Sequence, residues 1–281
     1  MSTTYRQLLN YATLELKGNN YALWLLQAIL KTDRTELYLK LDESVDEVVL
    51  KDLNKKIAEI KSGLPIQYAV GNWQFRSITL KVDKRCLIPR VETEHIVTLA
   101  NNIINKLDKL EINILDLGTG SLCIPLALAS ESVKKLNIYA VDVSDDAIEI
   151  AEENLKANPR LHDVISIVKS SWFESLNEDL IGSFDLIISN PPYLNYNSTV
   201  DKSVIDFEPH IALFSDEAGF YDTKLIISQA KAWMSEKSYL LLETDSSLTD
   251  RILFECGRNG FQNCEIIKDQ FDRFRFAIAE N

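Results

Sequence analysis

The run Phe184-Asp185-Leu186-Ile187-Ile188-Ser189 is apolar enough for a buried strand, and two prolines stop it almost at once. Pro191 and Pro192 fix their φ angles and supply no backbone donors, so neither a helix nor a sheet ladder continues through them. The chain must leave the sheet at Asn190 as a stiff loop, with the Asn190 amide and the backbone carbonyls facing outward. A loop of this kind, Asn190-Pro191-Pro192-Tyr193, can accept hydrogen bonds from a flat –NH2 group and hold it in one plane. A proline-rich turn that merely ends a strand has the same local sequence. The reading therefore depends on what else the chain carries.

A second strand, Ile112 to Leu117, runs into Gly118-Thr119-Gly120-Ser121-Leu122 and then an apolar helical stretch from Cys123 to about Ala129. Glycines at 118 and 120 let a ligand approach the backbone, and the helix N-terminus beyond them presents free N–H groups. Asp142 closes the next strand, where an acid can accept both hydroxyls of a ribose. The third glycine of the dinucleotide fingerprint is missing, since none follows Gly120 until Gly182. That favours a ligand with a carboxylate and a ribose, such as S-adenosylmethionine (SAM), over a pyrophosphate. Leucine disfavours positive φ, so Leu122 is expected to pass into the helix through ordinary right-handed angles. Pro125, tolerated in a first helical turn, agrees.

From about residue 88 the pattern is a helix followed by alternating strands and helices. Strands are expected near 112–117, 137–142, 164–169, 184–189, 238–243, 263–268 and 274–279. Helices are expected near 92–106, 123–131, 145–157, 220–235 and 247–258. Such alternation predicts an α/β fold with a mostly parallel sheet, and ligands lie beyond the strand C-termini in such sheets. The last two strands, joined by a short link, should form an antiparallel hairpin. Residues 1–64 read as a small helical domain, with Leu8, Leu9, Ala12, Leu14 and Leu16 on an apolar face. Asp33 or Thr35, and Ser44 or Asp46, are its candidate caps. Residues 65–88 hold a β-hairpin connector, and 89–281 form the main domain.

Charge narrows the partners. The net charge is −12 and no Lys/Arg stripe interrupts it, so direct nucleic-acid binding is not expected. Cys86, Cys123, Cys256 and Cys264 form no C-x-x-C pair, and no apolar run approaches a membrane span. The reading is a cytoplasmic protein with reduced thiols. His95, His162 and His210 lack metal-ligand spacing, so no metal is expected.

Several segments together resemble one family. Gly118-Thr119-Gly120, the strand-end Asp142 and the Asn-Pro-Pro-Tyr loop look like a class I SAM-dependent methyltransferase acting on nitrogen. Leu87-Ile88-Pro89-Arg90-Val91-Glu92-Thr93-Glu94 and Phe207-Glu208-Pro209-His210-Ile211-Ala212-Leu213 resemble signatures of the release-factor glutamine methyltransferases. Pro65 to Gly71 and the ending Asp272 to Phe276 are similar too. The resemblance implies a Rossmann-like, seven-stranded sheet with a C-terminal hairpin, preceded by helices that are a candidate for docking the release factor. It implies methyl transfer from SAM, without a metal, to the amide nitrogen of the glutamine in the GGQ motif of bacterial class 1 peptide release factors.

By the same resemblance Gly118, Thr119, Gly120, Ser121 and Leu122 lie under the methionine part of SAM, Asp142 holds the ribose, and Trp172 lies by the adenine. Trp172 reads equally well as core. Asn190 and the Pro191 carbonyl would accept the two N–H groups of the target amide, with Pro192 and Tyr193 framing it, and Asn190 counts among the cofactor-binding residues as well. Arg90 and Glu92 read either as cleft residues or as an ion pair opening the helix at Thr93. Residues 195–206 are polar and aperiodic, as a mobile loop is. Two alternatives stay open: a methyltransferase acting on nucleic-acid exocyclic amines, and a protein that binds SAM or a release factor without turnover.

Overall fold

The computed structural model describes residues 3–281. The chain divides into two compact units. One runs to Trp73 and takes in Val82–Lys84 and Val200–Phe207; the other holds Gln74–Lys81, Arg85–Thr199 and Glu208–Asn281.

The first unit is built from α1 (Tyr5–Glu15), α2 (Asn19–Leu30), α3 (Arg34–Leu39), α4 (Glu47–Lys61) and the short α5 (Ile66–Val70). Side chains start three of these helices by taking up backbone donors that the first turn leaves open. Thr4 and Gln7 bond reciprocally across the start of α1, Asp33 accepts from the Glu36 N–H and Asp46 from the Val48 N–H. Leu8, Ala12, Leu25, Leu26, Leu37, Leu53 and Ile57 are buried together. Each leucine or isoleucine so placed contributes about 1.5–3 kcal/mol over its exposed state. Leu14, expected on the apolar face, is 79% exposed. The stretch expected as an aperiodic loop over 195–206 contains a helix, α9 (Lys202–Phe207).

The second unit carries the sheet. Its elements after the hairpin β1 (Asn72–Phe75) and β2 (Ile78–Lys81) are α6 (Thr93–Lys106), β3 (Glu111–Leu117), α7 (Cys123–Glu131), β4 (Lys135–Asp142), α8 (Asp145–Ala157), β5 (Ile165–Lys169) and β6 (Phe184–Ser189). After α9 come α10 (Asp216–Gly219), α11 (Tyr221–Trp233), β7 (Met234–Glu243), α12 (Thr249–Arg258), β8 (Asn263–Lys268) and β9 (Phe274–Glu280). Seven strands lie in the order β5-β4-β3-β6-β7-β9-β8. The first five pair in parallel, and β9 is antiparallel to both β7 and β8. This is the class I methyltransferase sheet, Rossmann-like with an antiparallel hairpin at its end.

Strand alternation sorts the side chains between the faces. Leu115 and Leu117, with Ile187, Leu240 and Leu242, join one cluster with Ile226, Ile227 and Ile252 of α11 and α12. The intervening positions of β3 and β7, among them Asp116 and Glu243, therefore point to the other face. Strand order reverses between β3 and β6, where register sets Leu117 beside Ser189. The Ser189 hydroxyl also donates to the Leu117 carbonyl at 2.7 Å. The glycine turn and the Asn-Pro-Pro-Tyr loop thus leave the sheet side by side, at the crevice where such sheets bind ligands.

The turn from β3 into α7 overturns one expectation. Leu122 does not pass into the helix with right-handed angles; it is left-handed, with φ 68° and ψ 21°. A leucine there costs about 1–2 kcal/mol. The turn is held from both sides: the Gly118 and Thr119 N–H groups donate to the Val141 carbonyl, and buried Asn154 donates to the Ser121 carbonyl at 2.9 Å. The Leu122 side chain is wholly buried, and that burial offsets the backbone cost. Replacing Leu122 by alanine keeps the strain and loses the packing, an expected loss of about 2–5 kcal/mol. Leu122→Gly loses the packing but relieves the strain. In denaturant titrations the glycine variant should therefore be the more stable of the two, against the usual order of helix propensity. An alanine variant at least as stable as the glycine one would show that the strain is not there.

Candidate active site

A cavity of about 360 Å³ opens at this sheet edge. Its walls include Gly118, Thr119, Gly120 and Ser121 after β3, Asp142 after β4, Trp172 after β5, and Asn190 with Pro192 after β6. Arg90 and Thr93 close it from the segment that opens α6, and Pro209, Ile211 and Phe214 from the segment beyond α9. Leu122, Pro191 and Tyr193 are not among the lining residues. Leu122 and Pro191 are buried. The Tyr193 ring packs on the core cluster, with the Arg275 guanidinium 5.9 Å from its centre. Burial and the nearby Glu243 push the Tyr193 phenol far above its ordinary pKa, so it stays protonated.

Asp142 is fixed by backbone donors. One carboxylate oxygen accepts from the Gly120 N–H at 2.9 Å and the other from the Ser144 N–H at 3.0 Å. Burial raises its pKa, and these N–H groups draw it back. Each oxygen keeps a lone pair for a hydroxyl outside the loop. Trp172 packs on the core and also lines the cavity. It lies against the Gly118 backbone, 3.6 Å from where a side chain at 118 would begin.

The Arg90–Glu92 pair does not form. Arg90 instead pairs with Glu208 at 2.6 Å, and Glu92 with Arg273 at 2.9 Å. Glu208 is 4% exposed and also accepts from the Ile88 N–H at 3.0 Å, so one buried carboxylate ties two walls of the cavity together. The Asn-Pro-Pro-Tyr loop is braced from behind. Glu217, Ala218 and Gly219 are left-handed in succession, and a Cβ at Gly219 would stand 2.2 Å from the Tyr193 carbonyl oxygen. Only glycine fits so close an approach.

Two buried acids were missed in the sequence. Asp116 and Glu243 are each 1% exposed, and burial raises the pKa of each to about 7. Neither Asp116 oxygen has a hydrogen-bond partner of good geometry; the Thr119 hydroxyl nearby draws its pKa down and Asp142 pushes it up. The available signal was an acid at an inward position of a strand otherwise apolar on that face. Unpaired negative charge beneath a glycine turn suits a ligand that is itself cationic, as the sulfonium and ammonium groups of SAM are. The residues present therefore fit SAM.

Comparison with known proteins agrees with this geometry. Residues 7–71 match the PrmC N-terminal domain family, and residues 98–207 the Methyltransferase small domain family. The release factor glutamine methyltransferase of Francisella tularensis subsp. tularensis is 37% identical over 254 residues, covering 90% of this chain and 87% of that protein. The one from Buchnera aphidicola subsp. Baizongia pistaciae is 34% identical and covers 97% of each. A methyltransferase structure from Pyrococcus furiosus superposes with a TM-score of 0.52 over 81% of this chain and 96% of its own, at 18% identity, which speaks for the fold alone.

Asp116 makes stability depend on pH in a defined direction. Its folded-state pKa of about 7 lies above the ordinary 3.8, so the unpaired charge costs the fold progressively as pH rises from 3.8 through 7. Below that window the cost vanishes. Asp116→Asn should thus raise the melting temperature of the ligand-free protein at pH 8, by an amount equivalent to as much as roughly 4 kcal/mol. The gain should fade as pH drops toward 4. A gain that is the same at pH 5 and pH 8 would contradict the assignment.

Proposed function

The chain belongs to the release factor glutamine methyltransferase family, whose members are SAM-dependent, and on that footing we propose how its own residues carry out the transfer. The target is the side-chain amide of the glutamine in the GGQ motif of class 1 peptide release factors. What supports this most is the β3–β6 register, which leaves the glycine turn and Asn190 in one cavity. When bound, SAM supplies a methyl group on a sulfonium, an electrophile that needs neither a covalent nucleophile nor a metal.

The turn Gly118-Thr119-Gly120-Ser121-Leu122 supports the methionine part; of these, Leu122 acts through backbone shape. Asp142 takes the ribose hydroxyls and Trp172 offers a face to the adenine. An amide nitrogen is a poor nucleophile because its lone pair is delocalised. The Asn190 Oδ1, which lines the cavity, accepts one of its N–H groups. The carbonyl of Pro191, a residue buried behind the cavity wall, becomes the acceptor for the other only when the substrate seats against the loop. Both bonds raise electron density on nitrogen and fix its direction. Pro192 and Tyr193 hold the loop that carries these acceptors. No strong base would be required beforehand: as the N–C bond formed, the C–S bond would break with sulfur keeping the electron pair, and the proton, acidic only then, would pass to solvent. The net charge of −12 weighs against nucleic-acid amines as the target.

Mass spectrometry of a release factor incubated with the protein and SAM should show one added methyl, on the GGQ glutamine. Asn190→Ala should slow this about 10²–10³-fold and leave SAM affinity within about threefold. Methylation elsewhere, or a fully active variant, would refute the reading. Residues 1–64 are proposed to dock the release factor, since Tyr21 and Trp24 of this unit are exposed at 43% and 38% beside Trp73. Removing these residues should raise KM for the intact factor by about tenfold or more and change little with a short GGQ peptide. Equal effects on both substrates would argue against docking there.

A further inference from the structure

Asn190 accepts from an amide only if its own amide is the right way round, with oxygen toward the cavity. The two ends of an asparagine side chain are nearly isosteric, so a neighbour must choose between them. Asn190 Nδ2 lies 3.3 Å from Thr93 Oγ1, and both residues line the cavity. Thr93 is 3% exposed, so its one hydroxyl proton needs an acceptor inside the protein. The Glu243 carboxyl, buried at the end of β7 where that strand packs against α6, lies near that hydroxyl, and among the described residues its Oε2 has no hydrogen-bond partner of good geometry. Helix α6 begins at Thr93 without a side-chain cap, so the hydroxyl is not spent on the helix end.

A carboxylate accepts and never donates. With its proton turned to Glu243, the Thr93 oxygen is left as an acceptor, and only the –NH2 end of Asn190 satisfies it. We propose that Thr93 and Glu243 act as a positioning pair that locks the Asn190 side chain with its amide oxygen facing the cavity. The pair selects a substrate that donates two N–H groups and rejects the carbonyl end of the same amide. Burial pushes the Glu243 carboxyl up to about 7 and Glu92 adds to the rise, while Thr93, Arg275 and Arg90 draw it back toward the ionised form. The inference rests on Asn190 being the acceptor described above, and it deepens that reading by naming what orients it.

Protein labelled with 15N on asparagine side chains tests this directly, the Asn190 signals being assigned by their loss in Asn190→Ala. They should shift in Thr93→Val and in Glu243→Gln, and remain in place in Thr93→Ser, which keeps the hydroxyl. In parallel, kcat should fall about 10–100-fold in Thr93→Val, with SAM affinity within about threefold. Thr93→Ser should restore most of the rate, and Thr93→Val/Glu243→Gln should be no slower than Thr93→Val alone, because the two residues act as one unit. Asn190 signals indifferent to both substitutions would overturn the proposal. So would a serine variant as slow as the valine one, or losses that simply multiply in the double variant. If the native protein left the GGQ glutamine unmethylated while Asn190 still responded to Thr93→Val, the pair would stand and the choice of substrate would fall.

Discussion

The parallel pairing of β3 with β6 is the constraint on which the rest of the molecule depends. Each strand is an apolar run that ends in residues unable to continue it, a glycine turn in one case and two prolines in the other. Pairing Leu117 with Ser189 makes both endings coincide at the sheet edge. The Ser189 hydroxyl on the Leu117 carbonyl fixes this register at the last residue before the chains part. A slip of one residue would reverse every inward side chain of β6, which is buried along its whole length. The relative position of cofactor turn and substrate loop is thereby set by the core and does not depend on loop packing.

Around that edge the fold holds several unfavourable arrangements in place. Leu122 is left-handed, two further non-glycine residues are left-handed before Gly219, and two acids are buried with unpaired oxygens. Contrast Asp185 on β6, as buried as Asp116 but accepting from the Asn113 N–H, the Ser235 hydroxyl and Lys109. Asp185 lies at the start of its strand, away from the cavity, and is fully satisfied. The unsatisfied Asp116 and Thr119 stand instead at the glycine turn that lines the cavity, where a ligand has something to gain by arriving.

Much of this was legible in the chain. Strand and helix limits follow from short apolar runs alternating with amphipathic ones, and the cavity residues Gly118, Asp142, Trp172 and Asn190 all sit where a strand runs out. What was not legible required knowledge of the opposite wall. The partner of Arg90 is Glu208, more than a hundred positions away, and nothing in the local sequence separates it from Glu92. Leu122 misled because propensity describes the isolated backbone, whereas clamping by Asn154 and Val141 decided the angles here. Thr93 looked like a helix opener, and its contact with Asn190 exists only once α6 lies across the strand ends.

Gly219 carries a consequence beyond its own turn. The Tyr193 carbonyl occupies the space in which any side chain at 219 would begin, so the two segments share a single volume. Position 219 lies outside every recognisable motif and touches no substrate, yet it is coupled to the loop as tightly as the prolines are. Any substitution at 219 therefore meets a backbone atom that no compensating side-chain change elsewhere can move aside.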